Sequence, residues 1–348
     1  MSLQCHVVKI AGLQFAFAHS TVCFSFEPFG AFCFAAYTPV YAGDAKVAVK
    51  SKALAHYILA VSNDFNGRTV EAISEYERSI ALNNQEVLPH LRLATYYLRL
   101  SLFDKAIKQL KDVLKLDPAN SQGHYLLGLI YSSQKKLDLA AAEYEQILKT
   151  ASHDNPENLE IYTYLAQLYF SQEKYNQAIE QFKHIIAVNP KNASAYYFLG
   201  SSYLETHVPL KAKECFQKAL SIEPRHDGAL NSLAFMQAEQ GNNLDDALRM
   251  VRQAIDIDPA NGAYYDTLGW VLFRKGMNKE ALVALQKALV YVQDSIIFEH
   301  IGDVYYAIKE FALAYKNWQK SLDLDPNQAR VRVKIQDIQK TQAFKAQM

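Results

Sequence analysis

The chain has 348 residues, of which half are hydrophobic, and its 36 basic residues balance its 36 acidic ones. A protein that attracts nucleic acid or an anionic membrane through its overall field needs excess positive charge. We therefore predict no nucleic-acid partner, and a protein or peptide partner instead. The length is large for one compact domain, because single hydrophobic cores stop growing at roughly 250–300 residues.

Residues 1–42 have the composition of a leader. Between residues 10 and 43 the only formally charged residue is Glu27, and the segment ends in Val40-Tyr41-Ala42, where two small residues flank a large one. An apolar segment that ends in such a site is typical of a secretory signal peptide. We predict an exported protein of the periplasm or envelope, with residues 43–52 as a linker or N-terminal cap.

Two alternatives stay open for this leader. It is either an uncleaved membrane tether or an unprocessed extension of a cytoplasmic protein with a misassigned start. Its uninterrupted apolar run covers residues 10–26, which is shorter than the roughly 20 residues of a membrane-spanning helix. Cys5, Cys23 and Cys33 lie within the leader, so Cys215 is the single later cysteine and no intrachain disulfide is predicted.

Beyond residue 52, small residues recur at two positions with a period near 34 residues. The first set contains alanine or glycine, at Ala60, Ala94, Gly128, Ala166, Gly200, Ala234, Gly269 and Gly302. The second set contains only alanine, at Ala72, Ala106, Ala140, Ala178, Ala212, Ala247, Ala281 and Ala314. A bulky residue follows each of these alanines by four, at Tyr76, Leu110, Tyr144, Phe182, Phe216, Val251, Leu285 and Trp318. Two helices that touch at small residues, with large residues filling the remaining space, would produce this pattern.

Most periods also end in a proline, which cannot continue a helix. The stops are Leu116-Asp117-Pro118, Val188-Asn189-Pro190, Ile222-Glu223-Pro224, Ile257-Asp258-Pro259 and Leu324-Asp325-Pro326. The whole pattern resembles the tetratricopeptide repeat, a helix-turn-helix unit of 34 residues. The resemblance covers residues 53–328 and implies an all-α, right-handed superhelical solenoid of about eight repeats with a C-terminal capping helix.

The repeats begin near Ala53, Val87, Ser121, Leu159, Ala193, Asp227, Gly262 and Ser295. Four additional residues between the third and fourth repeats, in the segment 153–158, predict a joint or a longer loop there. Residues 329–348 have five basic residues against the single acid Asp337. We predict that they form a basic capping helix that covers the last apolar face, with a docking tail for an acidic partner as the alternative.

The sequence has no glycine-rich phosphate loop, no Cys-x-x-Cys pair and no His-Glu-x-x-His helix. We therefore predict no catalytic residue, no metal site and no cofactor, and hence no enzyme. His56, His90 and His124 recur at the fourth position of three repeats, but successive repeats lie about 10 Å apart, too far for one metal ion. We interpret them as packing residues. We expect Glu299, His300 and Asp303, which are neighbours in one helix, at the surface or in the groove.

In tetratricopeptide arrays the first helix of each unit lines a concave surface, and the resemblance implies that its second, fifth, ninth and twelfth residues face inward. Here they form an aromatic and aliphatic set that we predict as the partner-binding groove: Tyr57, Leu91, Leu98, Tyr125, Leu129, Phe170, Tyr197, Phe235, Trp270, Phe273 and Tyr306. Each either lines the groove or packs against a neighbouring helix. The set lacks the basic residues that grip a peptide carboxylate, so an apolar protein segment is the expected ligand.

A second resemblance covers residues 227–328. The segments 231–241, 258–274 and 299–305, together with Trp318, are similar to a bacterial envelope group of tetratricopeptide proteins. Some of its members are outer-membrane lipoproteins that act as adaptors of carboxy-terminal processing proteases. The resemblance implies a non-enzymatic scaffold or adaptor that binds a protein client or protease. The alternative is a cytosolic assembly or regulatory scaffold, and homo-oligomers through end faces or grooves stay open.

Overall fold

The computed structural model describes residues 45–151 and 159–341. Every regular element in these ranges is an α-helix, and there are seventeen. They are α1 Ala45–Phe65, α2 Thr69–Leu82, α3 Val87–Arg99, α4 Phe103–Leu116, α5 Ser121–Ser133, α6 Leu137–Ala151, α7 Leu159–Ser171, α8 Tyr175–Val188, α9 Ala193–Glu205, α10 Pro209–Ile222, α11 Asp227–Gln240, α12 Leu244–Ile257, α13 Gly262–Arg274, α14 Asn278–Tyr291, α15 Ser295–Ala307, α16 Phe311–Leu324 and α17 Ala329–Gln339. The predicted leader, the predicted joint and residues 342–348 of the predicted capping helix lie outside the described residues.

The odd-numbered helices from α3 to α15 begin at the residues predicted from the repeat pattern. The exception is α1, which begins at Ala45 and not near Ala53. Residues 45–52, predicted to be a linker or cap, are therefore helical. The reason is local, since this segment consists of alanine, lysine, valine and serine with no glycine or proline to interrupt a helix.

Five helices end at the predicted stops. Their last residues are Leu116, Val188, Ile222, Ile257 and Leu324, each two positions before a proline. A proline disfavours the helical region for the residue before it, which favours the end of the helix at these positions. None of the seventeen described helices has the length together with the apolarity that crossing a membrane requires.

The described residues fall into two compact units, one up to Leu168 and one from Tyr169 onward. In the first unit α1 packs on α2, α3 on α4, and α5 on α6. In the second unit α9 packs on α10, α11 on α12, α13 on α14, and α15 on α16. The all-α, helix-turn-helix prediction is confirmed, and α17 follows the last pair.

The small residues lie where paired helices touch, as predicted. A methyl group added at Gly128 would lie 2.7 Å from the Tyr144 ring, and one added at Gly200 would lie 2.7 Å from the Phe216 ring. Both rings belong to the bulky set that the period predicts as space-filling. All eight alanines of the second set have no exposed surface. The period therefore records direct small-to-large contacts between helices.

The recurring histidines pack within their helix pairs. Each ring Nδ1 contacts a side-chain oxygen 19 residues later, on the paired helix, at 2.5–2.6 Å. These contacts join His56 to Glu75, His90 to Gln109 and His124 to Glu143. His90 and His124 are buried. The interpretation of these residues as packing histidines is confirmed, and their constant spacing to a polar partner is a signal that the sequence contains.

We expect Gly128→Ala to destabilise the first unit by about 1–3 kcal/mol through overpacking against Tyr144, although alanine is the better helix former by about 1 kcal/mol. Urea unfolding followed by circular dichroism measures the change. The matched double variant Gly128→Ala with Tyr144→Leu reproduces the Ala94 and Leu110 combination of the second repeat and should recover part of the loss. A single variant as stable as the wild type would contradict the small-to-large contact.

A half-buried carboxyl in the second unit makes stability depend on pH. Glu205 is the last residue of α9, and burial raises its pKa to about 7, with a further contribution from the charge of Glu173. The unfolded chain releases this proton near the ordinary value of 4.5, whereas the folded chain retains it to about 7. The free energy of unfolding therefore falls as the pH rises through this interval.

We expect Glu205→Gln to remove this fall, because the amide has no proton to release. Urea midpoints at pH 5 and pH 8 test this expectation. The midpoint of the variant should rise relative to that of the wild type at pH 8 only. Glu173→Gln serves as the partial control, since it removes the contribution of the Glu173 charge to the pKa of Glu205 and leaves the contribution of burial. An equal pH dependence in wild type and Glu205→Gln would show that Glu205 does not titrate in this interval.

Candidate functional site

The eleven predicted groove residues differ in exposure. Leu91 and Trp270 are buried, with 6% and 9% of their surface exposed, whereas Tyr306 is 46% exposed. The remaining eight are half-buried, namely Tyr57, Leu98, Tyr125, Leu129, Phe170, Tyr197, Phe235 and Phe273. Neighbouring side chains enclose Leu91 and Trp270, so the packing alternative holds for these two residues. Partner contact by the other nine residues stays a prediction.

In the first unit, two of these residues belong to tyrosine clusters. The Tyr125 ring lies 6.4 Å from Tyr144 and 6.2 Å from Tyr164, and its hydroxyl donates a 3.1 Å hydrogen bond to Glu160. The Tyr57 ring lies 5.9 Å from the buried Tyr76. Each ring is held by its own helix pair or the next helix, so much of its surface is used in packing.

In the second unit, Phe170 and Tyr197 also pack against their neighbours. Phe170 lies edge-on to Tyr175 and Phe198, at 5.5 and 5.7 Å. Tyr197 lies 5.9 Å from the Phe216 ring and fills the space that a side chain at Gly228 would need. These two residues therefore take part in the packing of α7–α11 and are separate from the cluster described next.

Three other predicted residues meet around one histidine. His300 of α15 stacks on the Trp270 ring at 4.2 Å, and the Phe235 ring lies 6.4 Å away from it. Phe273 lies 5.2 Å from Trp270. The Trp270 Nε1–H donates a 2.6 Å hydrogen bond to Glu239 of α11. The predicted residues of α11 and α13 are thus brought together through His300, which the groove prediction omits.

A cavity of about 360 Å³ opens where α13, α15, α16 and α17 meet. Its lining contains three aromatic rings, two carboxylates and one ammonium group. The lining residues are Phe273, Asp303, Tyr306, Ala307, Trp318, Lys334, Asp337 and Ile338. The Tyr306 and Trp318 rings lie 5.6 Å apart and form one wall. Two residues of the predicted groove, Phe273 and Tyr306, therefore line a real concavity.

Ion pairs beside this cavity bind α17 to α15. Lys334 donates to Glu299 at 2.7 Å and to Asp303 at 2.6 Å, while Arg330 contacts Glu299 at 2.8 Å. The Trp318 Nε1–H donates to Asp303 at 3.0 Å. Burial alone would raise the pKa of Glu299, but the bonds and charges of Arg330 and Lys334 outweigh it and hold that pKa below its usual value.

His300 forms a second buried pair, with Asp266 of α13 at 2.8 Å. Burial acts to lower the pKa of His300, but the hydrogen bond and charge of Asp266, together with the charges of Asp303 and Glu299, outweigh it and raise that pKa. Glu299 and His300 have 1% and 3% of their surface exposed. The expectation that they lie at the surface or in a groove is wrong, because each has an oppositely charged partner on a neighbouring helix.

One register relates these contacts. Asp266 and Glu299 are the fifth residues of α13 and α15, whereas His300 and Lys334 are the sixth residues of α15 and α17. In both pairs the fifth residue of one odd-numbered helix contacts the sixth residue of the next. Tyr125 and Tyr164 obey the same rule in the first unit. A search for opposite charges at these positions would have revealed both buried pairs from the sequence.

The described part of the predicted C-terminal capping helix is α17. Helix α17 ends at Gln339, and its Val331 and Ile338 are buried, with 0% and 1% of their surface exposed. They pack with Trp318 and Ala314 of α16.

Among residues 45–151 and 159–341, no group of three or more His, Cys, Asp or Glu side chains is placed to hold a metal ion.

Comparisons with known proteins give the same repeat. Three models described as tetratricopeptide repeat match residues 91–156, 131–201 and 193–226. A tetratricopeptide repeat protein from Parabacteroides merdae has a similar crystal structure, with 20% identity and a TM-score of 0.56 over 73% of this chain and 98% of that one. No protein of curated function is significantly similar in sequence.

The Cut9–Hcn1 hetero-tetramer of the APC/C contains a chain of the same fold. It is 16% identical, with a TM-score of 0.55, and the match covers 85% of this chain and 56% of that one. These identities establish the fold alone. Together, the repeat models and the similar structures show that this chain contains tetratricopeptide repeats.

We expect Lys334→Met to loosen α17, because it leaves the buried Glu299 and Asp303 without their shared cation. Removing one partner of a buried pair costs about 3–5 kcal/mol, and the remaining Arg330 should limit the loss to roughly 1–3 kcal/mol. Hydrogen exchange of the α17 amides and Trp318 fluorescence report the change.

Lys340→Met is the matched control, since Lys340 pairs only with the exposed Asp337 in the same helix. We expect it to change stability by less than about 0.5 kcal/mol. Equal protection of α17 in both variants would contradict a stabilising role for the Lys334 contacts.

Proposed function

We propose that this tetratricopeptide-repeat chain is a non-enzymatic scaffold that binds an apolar segment of a partner protein in the cavity between α13, α15, α16 and α17. The observation that supports this site is the wall of Phe273, Tyr306 and Trp318, of which Tyr306 is 46% exposed. Exposed aromatic area in a concavity is typical of binding sites and of interface hot spots. The exposed Tyr306 ring, beside the half-buried Phe273 and the buried Trp318, therefore suits contact with a partner protein.

The charges of the cavity favour an uncharged ligand group. Asp303 and Lys334 form an ion pair at 2.6 Å, and Asp303 also accepts a hydrogen bond from the Trp318 Nε1–H. A ligand carboxylate would have to compete with Asp303 and Glu299 for Lys334. An apolar or aromatic side chain meets no such competition, and a volume of about 360 Å³ suits individual side chains of an extended or helical segment.

We also propose that the protein is exported and serves as an envelope adaptor, for a protein client or for a carboxy-terminal processing protease. The support is the composition of residues 1–42 and the resemblance of residues 227–328 to envelope adaptors. Determination of the mature N-terminus with cell fractionation tests the location. A periplasmic chain that lacks residues 1–42 is expected. An intact chain in the cytosolic fraction would favour the cytosolic scaffold and overturn the envelope assignment.

We expect the double variant Phe273→Ala with Tyr306→Ala to lose its partner, because each truncation removes an aromatic wall of the cavity. An affinity pull-down from envelope extract, followed by a binding measurement on the recovered protein, should show affinity at least about tenfold weaker than wild type. Val290→Ala is the matched control, since Val290 is 78% exposed on α14 and lies away from the cavity.

Variants of Trp270 are unsuitable here because its ring is buried against His300. Recovery of the same partner with unchanged affinity by the double variant would place the binding site elsewhere. Absence of any specific protein partner for the wild type would overturn the scaffold proposal itself.

A further inference from the structure

Helix α1 exposes residues whose equivalents are buried elsewhere. Leu59, the large residue just before the first small position, is 51% exposed. Six of the seven equivalent residues in other repeats have 1–6% of their surface exposed, namely Leu93, Leu127, Leu165, Leu199, Leu233 and Ile301, and the seventh, Leu268, is half-buried. In the described part of the chain no helix precedes α1, so no described repeat covers Leu59 from that side.

Five of the seven exposed large hydrophobic residues of α1 form a stripe along the whole helix, whereas Val49 and Leu59 lie off it. Val47, Leu54, Ile58, Val61 and Phe65 are 57%, 58%, 58%, 41% and 92% exposed, respectively. Their spacing of seven, four, three and four residues places them on one side of a helix. α1 has 21 residues, compared with 13 or 14 in the other odd-numbered helices of the eight pairs, and so extends about 30 Å. Terminal units of repeat arrays need a polar outer face or a cover, and this face has neither in the described residues.

Four of the five stripe residues form pairs that are symmetric about residue 56, and the fifth, Val61, is matched by Ser51. Val47 and Phe65 lie equally far from residue 56, as do Leu54 and Ile58, and Ser51 and Val61. Two antiparallel copies of α1 therefore oppose Val47 with Phe65 and Leu54 with Ile58, twice each. A two-fold symmetric interface requires such a self-complementary surface.

The charges of α1 favour the same arrangement. Its lysines all precede residue 56, and its single acidic residue, Asp64, follows it. In an antiparallel pair the lysine-containing half of each helix lies beside the half of the other that has no lysine, whereas Asp64 accepts a hydrogen bond from the Tyr96 hydroxyl of α3. A parallel pair would place lysines beside lysines, which is repulsive.

We propose that the exposed face of α1 binds the same face of a second copy, so that the protein is an antiparallel, two-fold symmetric dimer through α1. This interface lies in the first unit and is independent of the proposed cavity in the second. Coverage by residues 1–44, or by a different protein, would leave the purified chain monomeric.

Sedimentation velocity of the full chain at micromolar concentration tests the interface. The wild type should sediment as a dimer, and Ile58→Lys should weaken dimerisation more than tenfold, because it places two buried charges near the two-fold axis. Leu210→Lys is the matched control, since Leu210 is 76% exposed on α10 and its substitution should leave the dimer intact. A monomeric wild type, or an Ile58→Lys variant that dimerises as tightly, would overturn the proposal.

A disulfide test examines the register in a background where the four natural cysteines are replaced by serine. Ser51→Cys with Val61→Cys should give a covalent dimer on oxidation, since these positions oppose each other across the two-fold axis. Either single variant should fail, because two copies of one position lie about 15 Å apart along the axis, beyond disulfide reach. Equal cross-linking by the single variants, or none by the double variant, would overturn the antiparallel register.

Discussion

The contact between a small residue on one helix and a bulky residue on its partner is the constraint on which the other packing depends. Gly128 against Tyr144 and Gly200 against Phe216 leave no room for even a methyl group. Because a ring fills the space above each glycine, the two helices of a pair lie close together and present a fixed surface to the next helix. The alanines of the second set are fully buried for the same reason.

Three contacts between neighbouring odd-numbered helices share one register, from a fifth residue to the next sixth residue. The chemistry at these positions differs between the units. Tyr125 meets Tyr164 in the first unit, whereas Glu299 meets Lys334 in the second. Helix α17 follows the register of a further repeat, and its cations compensate the buried Glu299. A buried carboxylate without such partners would be costly, so the ion pairs hold α17 where it completes the cavity.

The first and last described helices expose different chemistry. Helix α17 buries Val331 and Ile338 and keeps charged side chains such as Arg332 and Asp337 at its surface. Helix α1 buries Ala53 and Ala60 against α2 and keeps an apolar stripe exposed. A polar outer surface ends a repeat array without further association, whereas an apolar one favours an additional partner.

The sequence by itself determined the helix pairs, the start of each first helix from α3 onward and the small-to-large contacts, because all of these depend on residues within one period. It also identified Phe273 and Tyr306, which line the cavity. The tertiary structure decided which periodic positions are exposed. Leu91 and Trp270 are buried and Leu59 is not, although each occupies a position defined by the same repeat. The exposure of a residue depends on the side chain that packs against it from the neighbouring helix, as His300 packs against Trp270. The residues of one repeat do not determine which side chain the next repeat supplies.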